Sequence, residues 1–303
     1  MTPNPPLREL VAATHAPFLD DGTLNPGVVD RLAEHLQSNG VNAVFINGTT
    51  GESHSLTVEE RLALADRWCS VVRGTSIRVV VHVGTNCLAD ARTLAAQAQS
   101  LGASAISAHA PAYFRPDSAE MLAACCGQIA DAAPETPFYF YDIPSMTGVN
   151  VAYPMFLDRA ADRMPSFAGV KFTNPDLVAY QRALAWRAGR ADLPWGNDET
   201  LLAALALGAS GAVGSSYNVA APLYRRLMGA FERGDVGSAR AEQLRSVRLV
   251  DTLSAFGYMA ACRAFLEMQG VPIGPPRLPH RRLDPDQAHR LREALESIGA
   301  FGG

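Results

Sequence analysis

The stretch Arg78-Val-Val-Val-His-Val83 is followed by an amphipathic run over 88–101, a stop at Gly102, and Ala105-Ile-Ser-Ala-His-Ala110. Two short runs that are apolar on both faces, joined by a helix-length segment, read as a strand–helix–strand unit of a parallel sheet. Only a sheet covered by helices hides both faces of its strands. The same unit repeats on either side. Strands are expected at Leu10–Ala16, Asn42–Asn47, Arg78–Val83, Ala105–Ala110, Phe138–Ile143, Ala168–Phe172, Pro194–Gly196 and Gly211–Ser215. Helices are expected between them near 27–39, 57–73, 88–101, 117–132, 151–162, 176–189 and 199–207, with a further one at 220–233. Eight such units predict an α/β fold, a (β/α)8 TIM barrel, over residues 1–235. A doubly wound sheet would need a phosphate-binding first turn, which is missing.

From about Val236 the pattern becomes purely helical, near 236–256, 258–269 and 286–299, with a Pro-rich stretch from Pro272 to Pro285. Residues 236–303 therefore read as a C-terminal helical extension packed on the barrel. Helix starts are marked by Asn25-Pro26, Thr57-x-x-Glu60, Asp117 or Ser118, and Asn174-Pro175. Gly40, Gly74, Gly102, Gly189 and Gly208 stand where helices should stop.

A formal net charge of −4 offers no basic footprint for nucleic acid, and Arg277, Arg281 and Arg282 read as a solvated face. The longest apolar stretch, Leu201 to Gly214, is Gly-broken and too short to span a bilayer, so no membrane partner is expected. The opening Met1-Thr-Pro-Asn-Pro-Pro6 lacks the layout of a signal peptide. Five cysteines (69, 87, 125, 126, 262) without CxxC spacing read as reduced core residues of a cytoplasmic protein. The seven histidines show no metal-ligand spacing. His82 and His109 end neighbouring strands and are possible spatial neighbours, yet no metal site is expected.

The chain holds 26 Lys+Arg, and only one of them, Lys171, is a lysine. It sits in Phe167-Ala-Gly-Val-Lys171-Phe172. A guanidinium, with a pKa above about 12, is never a free nucleophile at neutral pH, whereas a buried lysine can lose its proton and condense with a carbonyl. A leftover surface lysine in an Arg-biased chain is the plain alternative, and the strand position argues against it. Lys171 and Thr173 share a face with Gly169, which would leave room inside the barrel. Tyr139 and Tyr141 share a face of the fifth strand. Tyr139 reads as core, while Tyr141, at the strand end, suits proton transfer beside a Schiff base. Asn47-Gly-Thr49-Thr50-Gly-Glu52 offers freed backbone N–H groups and two hydroxyls to a small carboxylate. Gly196-Asn-Asp198-Glu199 puts acids at the barrel mouth, where a polyol would be held. Gly208-x-x-Gly211-x-x-Gly214 leads from a helix into a strand, the wrong order for a dinucleotide fingerprint.

Together, Gly48-Thr-Thr-Gly-Glu52, Tyr141-Asp-Ile-Pro144 with Thr147-Gly148, and Gly169-Val-Lys171-Phe resemble the lysine-dependent aldolases of the N-acetylneuraminate lyase and dihydrodipicolinate synthase superfamily. The likeness runs from Leu10 to Pro279, and within the superfamily it points to the N-acetylneuraminate lyases, especially vertebrate-type ones. The resemblance implies that Lys171 forms an imine and that Tyr141 is the catalytic tyrosine. Thr49 and Thr50 would hold the pyruvoyl carboxylate and assist Tyr141, with Thr49 counted in the catalytic set. Thr173, Gly196, Asp198, Glu199 and Ser215 would line the sugar pocket. Tyr113 matches an aromatic that crosses a subunit interface in many members; this places it in the catalytic set and implies a homotetramer. Where dihydrodipicolinate synthases usually carry an Arg for a second carboxylate, this chain has Met146.

The expected reaction is reversible cleavage of N-acetylneuraminate to N-acetylmannosamine and pyruvate, with no cofactor beyond the covalent imine on Lys171. The alternatives are a pyruvate-dependent aldolase for another 2-keto-3-deoxy sugar acid, and a non-catalytic barrel that binds pyruvate or sialic acid.

Overall fold

A computed structural model describes residues 7–186 and 190–301. The end of the expected 176–189 helix and its stop at Gly189 lie outside the described residues, as does the Met1–Pro6 opening. Seven parallel strands are β1 (Leu10–Ala13), β2 (Ala43–Ile46), β3 (Arg78–His82), β4 (Ala105–His109), β5 (Phe138–Asp142), β6 (Phe167–Phe172) and β7 (Ala212–Gly214). Their order is β6-β5-β4-β3-β2-β1-β7. Alternation sorts the side chains into two cores. Val11, Ala13, Ala43, Phe45, Val80, Tyr139, Tyr141 and Val213 fill the inside of the curled sheet, whereas Leu10, Ala12, Val44 and Ile46 face the helices.

The helices are α1 (Val29–Ser38), α2 (Val58–Val71), α3 (Leu88–Ser100), α4 (Ala119–Ala130), α5 (Pro144–Thr147), α6 (Met155–Arg163), α7 (Leu177–Leu184), α8 (Leu201–Leu207) and α9 (Tyr217–Glu232). The C-terminal part adds α10 (Val236–Ala255), α11 (Tyr258–Met268) and α12 (Pro285–Ser297), with α10 packed along α9. The Thr57–Glu60 capping box forms, and Ser118 caps α4. Asp176, not Asn174-Pro175, caps α7, because its carboxylate reaches the free N–H groups of Val178 and Ala179. The one-turn α5 was not expected from the sequence; Pro144 starts it and Gly148, at φ 66°, ends it.

Pro194–Gly196 is not a full strand. Trp195 makes single parallel bridges to Phe172 of β6 and to Ala212 of β7, so this segment spans the gap between the two edge strands. Pro194 has no N–H to extend the ladder. A Cβ on Gly169 would lie 1.8 Å from the Asp192 carbonyl oxygen. Glycine there admits the neighbouring backbone, and does not serve, as expected, to clear space for Lys171.

Two further expectations need correcting. Cys87 is exposed and not part of the core, although all five cysteines are free. Arg277 is no solvated cation, for it pairs with Glu60 and lies over the Phe18 ring. No single helix among the described residues is long and apolar enough to cross a membrane.

Candidate active site

Strand register sets Lys171 directly opposite Tyr141. Lys171 is only 4% exposed, and its Nζ lies 3.8 Å from the centroid of the Phe45 ring and 3.9 Å from that of Tyr141. Burial drives its pKa down to about 7, with the carboxylate of Asp198 working the other way. The two ring faces also favour the ammonium. The net effect is an amine that is substantially neutral at physiological pH, the state a carbonyl-directed nucleophile needs.

The Tyr141 hydroxyl lies 3.4 Å from Thr49 Oγ1. Burial raises the tyrosine pKa, and the hydroxyls of Thr49 and Thr173 oppose the rise. Thr173 reaches this position because residue 196 is glycine; a Cβ there would sit 1.9 Å from Thr173 Oγ1. Thr49 is exposed and Thr50 half-buried on the turn after β2. The positive φ angles of that turn fall on Asn47 (59°) and Glu52 (53°), not on Gly48 or Gly51. Gly48 serves instead to let the Phe45 ring approach, since a Cβ would lie 2.5 Å from Phe45 Cε1.

Asp198 is buried and accepts hydrogen bonds from Ser216 N (3.0 Å) and Ser216 Oγ (2.5 Å). Burial pushes its carboxyl up to about 6, and the Ser216 hydrogen bonds hold it from going higher. Its neighbour Glu199 is exposed. Ser215 Oγ lies 2.7 Å from the hydroxyl of Tyr258, the first residue of α11. The helical C-terminal part thus reaches Ser215, a contact between distant segments that no local motif announces. Phe45 was also missed, although its alternation with Ala43 along β2 put it on the inner face.

Other expected residues lie apart. Tyr139 donates to Asp192 Oδ2 at 2.9 Å, away from Lys171, as its core reading required. Tyr113 is 81% exposed and packs edge-to-face on Phe114, so within one chain it does not join the Lys171–Tyr141–Thr49 cluster. His82 and His109 are neighbours as expected, with ring centroids 4.9 Å apart. His109 Nε2 also lies 3.0 Å from His54 Nε2. Burial lowers His82 well below the usual range and His109 to about 4, so both are neutral. No cluster of three or more His, Cys, Asp or Glu suited to a metal occurs among the described residues.

Comparison with known proteins places this geometry. Residues 6–298 match the model of the dihydrodipicolinate synthetase family. The chain is 36% identical over 300 residues to an N-acetylneuraminate lyase of Mus musculus, covering 98% of this chain and 94% of that one. The structure of an N-acetylneuraminate lyase from Proteus mirabilis superposes with a TM-score of 0.94 at 35% identity, over 97% of this chain and 99% of that one. An N-acetylneuraminate lyase (sialic acid aldolase) from Aliivibrio salmonicida superposes equally well, at 0.94 and 37% identity over 97% of each chain.

Proposed function

The chain belongs to the dihydrodipicolinate synthetase family, and from that premise we propose that it is a carbon–carbon lyase, a class I aldolase that reversibly cleaves N-acetylneuraminate to N-acetylmannosamine and pyruvate. The observation that carries the reading is Lys171, a buried amine with a pKa near 7 set in register against Tyr141. The lyases to which the chain is similar support the choice of sugar. Met146, where a second-carboxylate Arg would stand in the synthases, speaks against aspartate semialdehyde.

Neutral Lys171 adds to the C2 carbonyl of the open-chain sugar acid, and uptake of a proton by the carbinolamine hydroxyl with loss of water gives a protonated imine. Thr49 and Thr50 hold the adjacent carboxylate. The C4 hydroxyl proton passes to the substrate carboxylate, directly or through Tyr141, which accepts it as it hands on its own proton, and the C3–C4 bond breaks. Its electron pair flows into the imine to give an enamine, and N-acetylmannosamine departs as the aldehyde. Protonation at C3 and hydrolysis release pyruvate and the free lysine. Thr173, Gly196, Asp198, Glu199 and Ser215 line the part of the pocket that receives the sugar chain. The imine is the electron sink, so the reaction calls for no metal or organic cofactor.

The barrel is read as eight units over 1–235, the seventh strand reduced to the bridges of Trp195, with 236–303 as a helical extension. Tyr113 and Phe114, 81% and 86% exposed, suit burial against another copy; the homotetramer, with Tyr113 completing a neighbouring site, is what the family resemblance implies. The five free cysteines support a cytoplasmic setting.

The test is to incubate the protein with N-acetylneuraminate, reduce with borohydride, and map the added mass. A reduced pyruvate adduct on Lys171 requires both imine formation and carbon–carbon cleavage. An adduct formed with free pyruvate but not with this sugar would move the assignment to another 2-keto-3-deoxy sugar acid. No adduct with either would leave a binding barrel.

A further inference from the structure

The turn that carries Thr49 and Thr50 ends in a residue the reaction does not use. Glu52 is 5% exposed and adopts a left-handed conformation, φ 53°, which a side chain of this size rarely takes. Such a conformation persists only where the surroundings enforce it. Here the enforcement comes from 211 residues away. Glu52 Oε1 accepts from Arg263 Nη2 at 2.6 Å, and Oε2 accepts from the backbone N–H of Arg277 at 2.9 Å. Arg263, on α11, is itself 2% exposed and donates further to the carbonyl oxygens of Ala16 (2.7 Å), Ile273 (3.3 Å) and Gly274 (3.2 Å). The strap from Ile273 to Arg277 is seated closely, for a Cβ on Gly274 would lie 1.9 Å from the Phe18 carbonyl oxygen.

On the near side, the turn closes on itself through Glu52 N to Thr49 O (3.0 Å) and Ser53 N to Gly48 O (3.1 Å). Any release of Glu52 therefore reaches Thr49 through one hydrogen bond, and Thr49 lies against the Tyr141 hydroxyl. A buried carboxylate–guanidinium pair resists rearrangement, because moving either partner alone strands a charge out of water.

We infer that Glu52 and Arg263 are positioning residues: the C-terminal helical segment clamps the Thr49–Thr50 turn from behind, and thereby sets affinity for the carboxylate of the keto acid. The inference rests on the aldolase reading above. It makes the extension part of the pyruvate site and not merely a cover for the barrel.

The test compares the native chain with Glu52→Gln and Arg263→Lys by borohydride trapping on Lys171 across a pyruvate titration. In folded variants, half-saturating pyruvate should rise about tenfold or more, while the limiting trapping rate falls less than about threefold. N-acetylmannosamine half-saturation in the synthetic direction should stay unchanged. A merely structural pair would reduce the fraction of active protein and leave half-saturation where it was, which would overturn the inference. Should both variants fail to fold, amide exchange of the native chain decides: pyruvate should slow exchange across residues 271–277, and unchanged exchange there would refute the coupling. Absence of any adduct in the native chain would instead remove the aldolase reading, and this inference with it.

Discussion

Replacing Lys171 with methionine should stabilise the protein while abolishing its chemistry, and the stabilisation should fade as pH rises. In the folded chain burial holds the amine at about 7, against an ordinary value of 10.5. In the unfolded chain the side chain is hydrated and keeps its proton to about pH 10.4. Between those values the unfolded state binds a proton that the folded state has released, so the stability of the native chain rises with pH across this window. Below about 7 both states are protonated, and the folded state carries the whole cost of a desolvated ammonium. Methionine matches the lysine stem in length and has no charge to bury.

At 1.36 kcal/mol for each pH unit separating the two values, the expected gain is about 5 kcal/mol near pH 6, about 2 near pH 9, and close to none by about pH 11. The ring faces of Phe45 and Tyr141, which favour the ammonium by roughly 1–2 kcal/mol, make these figures an upper end. The assay is urea unfolding of both chains side by side at several pH values and one protein concentration, since assembly would otherwise shift apparent stability. The gain at acidic pH must exceed that at alkaline pH. A variant less stable than the native chain near pH 6, or a difference that does not change with pH, would refute a desolvated Lys171.

Tyr141→Phe should lower kcat by about 10²–10⁴-fold, as expected for loss of a proton-transfer group, while borohydride still traps pyruvate on Lys171; equal loss of trapping would remove Tyr141 from the proton role. Asp198→Asn takes away the carboxylate that holds the Lys171 pKa up, so the acid limb of kcat/KM should move to lower pH. A limb that moves to higher pH would contradict that influence. Gly169→Ala forces a Cβ to within 1.8 Å of the Asp192 carbonyl oxygen, where backbone cannot yield cheaply. A loss of roughly 3 kcal/mol or more is expected in thermal unfolding, and a near-neutral result would show that the 192–196 segment is not seated as described.

The parallel sheet was legible because strands apolar on both faces, spaced by helices, have few other ways to be buried. Where chemistry followed strand alternation it was legible in part: alternation put Lys171 with Thr173 on one face of the sixth strand and Tyr141 at the end of the fifth, and the register sets Lys171 opposite Tyr141. Local capping was read well at Thr57 and Ser118, but Asn174-Pro175 misled, because the Asp176 carboxylate two residues on competes better for the free N–H groups of α7. Glycines were the weakest guide. The residue type records that something comes close, not what: at Gly169 it is the Asp192 backbone, at Gly48 the Phe45 ring, at Gly196 a threonine hydroxyl.

What stayed hidden has a common cause. Arg277 and Arg263 resemble solvent-facing cations in sequence because their partners, Glu60 and Glu52, lie more than 200 residues away. Composition cannot tell a hydrated arginine from one that closes a tertiary ring. The distinction matters at this site, since the two kinds of cation divide the work. Arginine, charged at every accessible pH, serves where a carboxylate must be held without titrating. Lysine is retained only at position 171, where the proposed reaction requires the charge to be given up. A chain with lysines scattered over its surface would have concealed that division. In this one, the rarity of the residue and the burial of its amine converge on one side chain from independent directions.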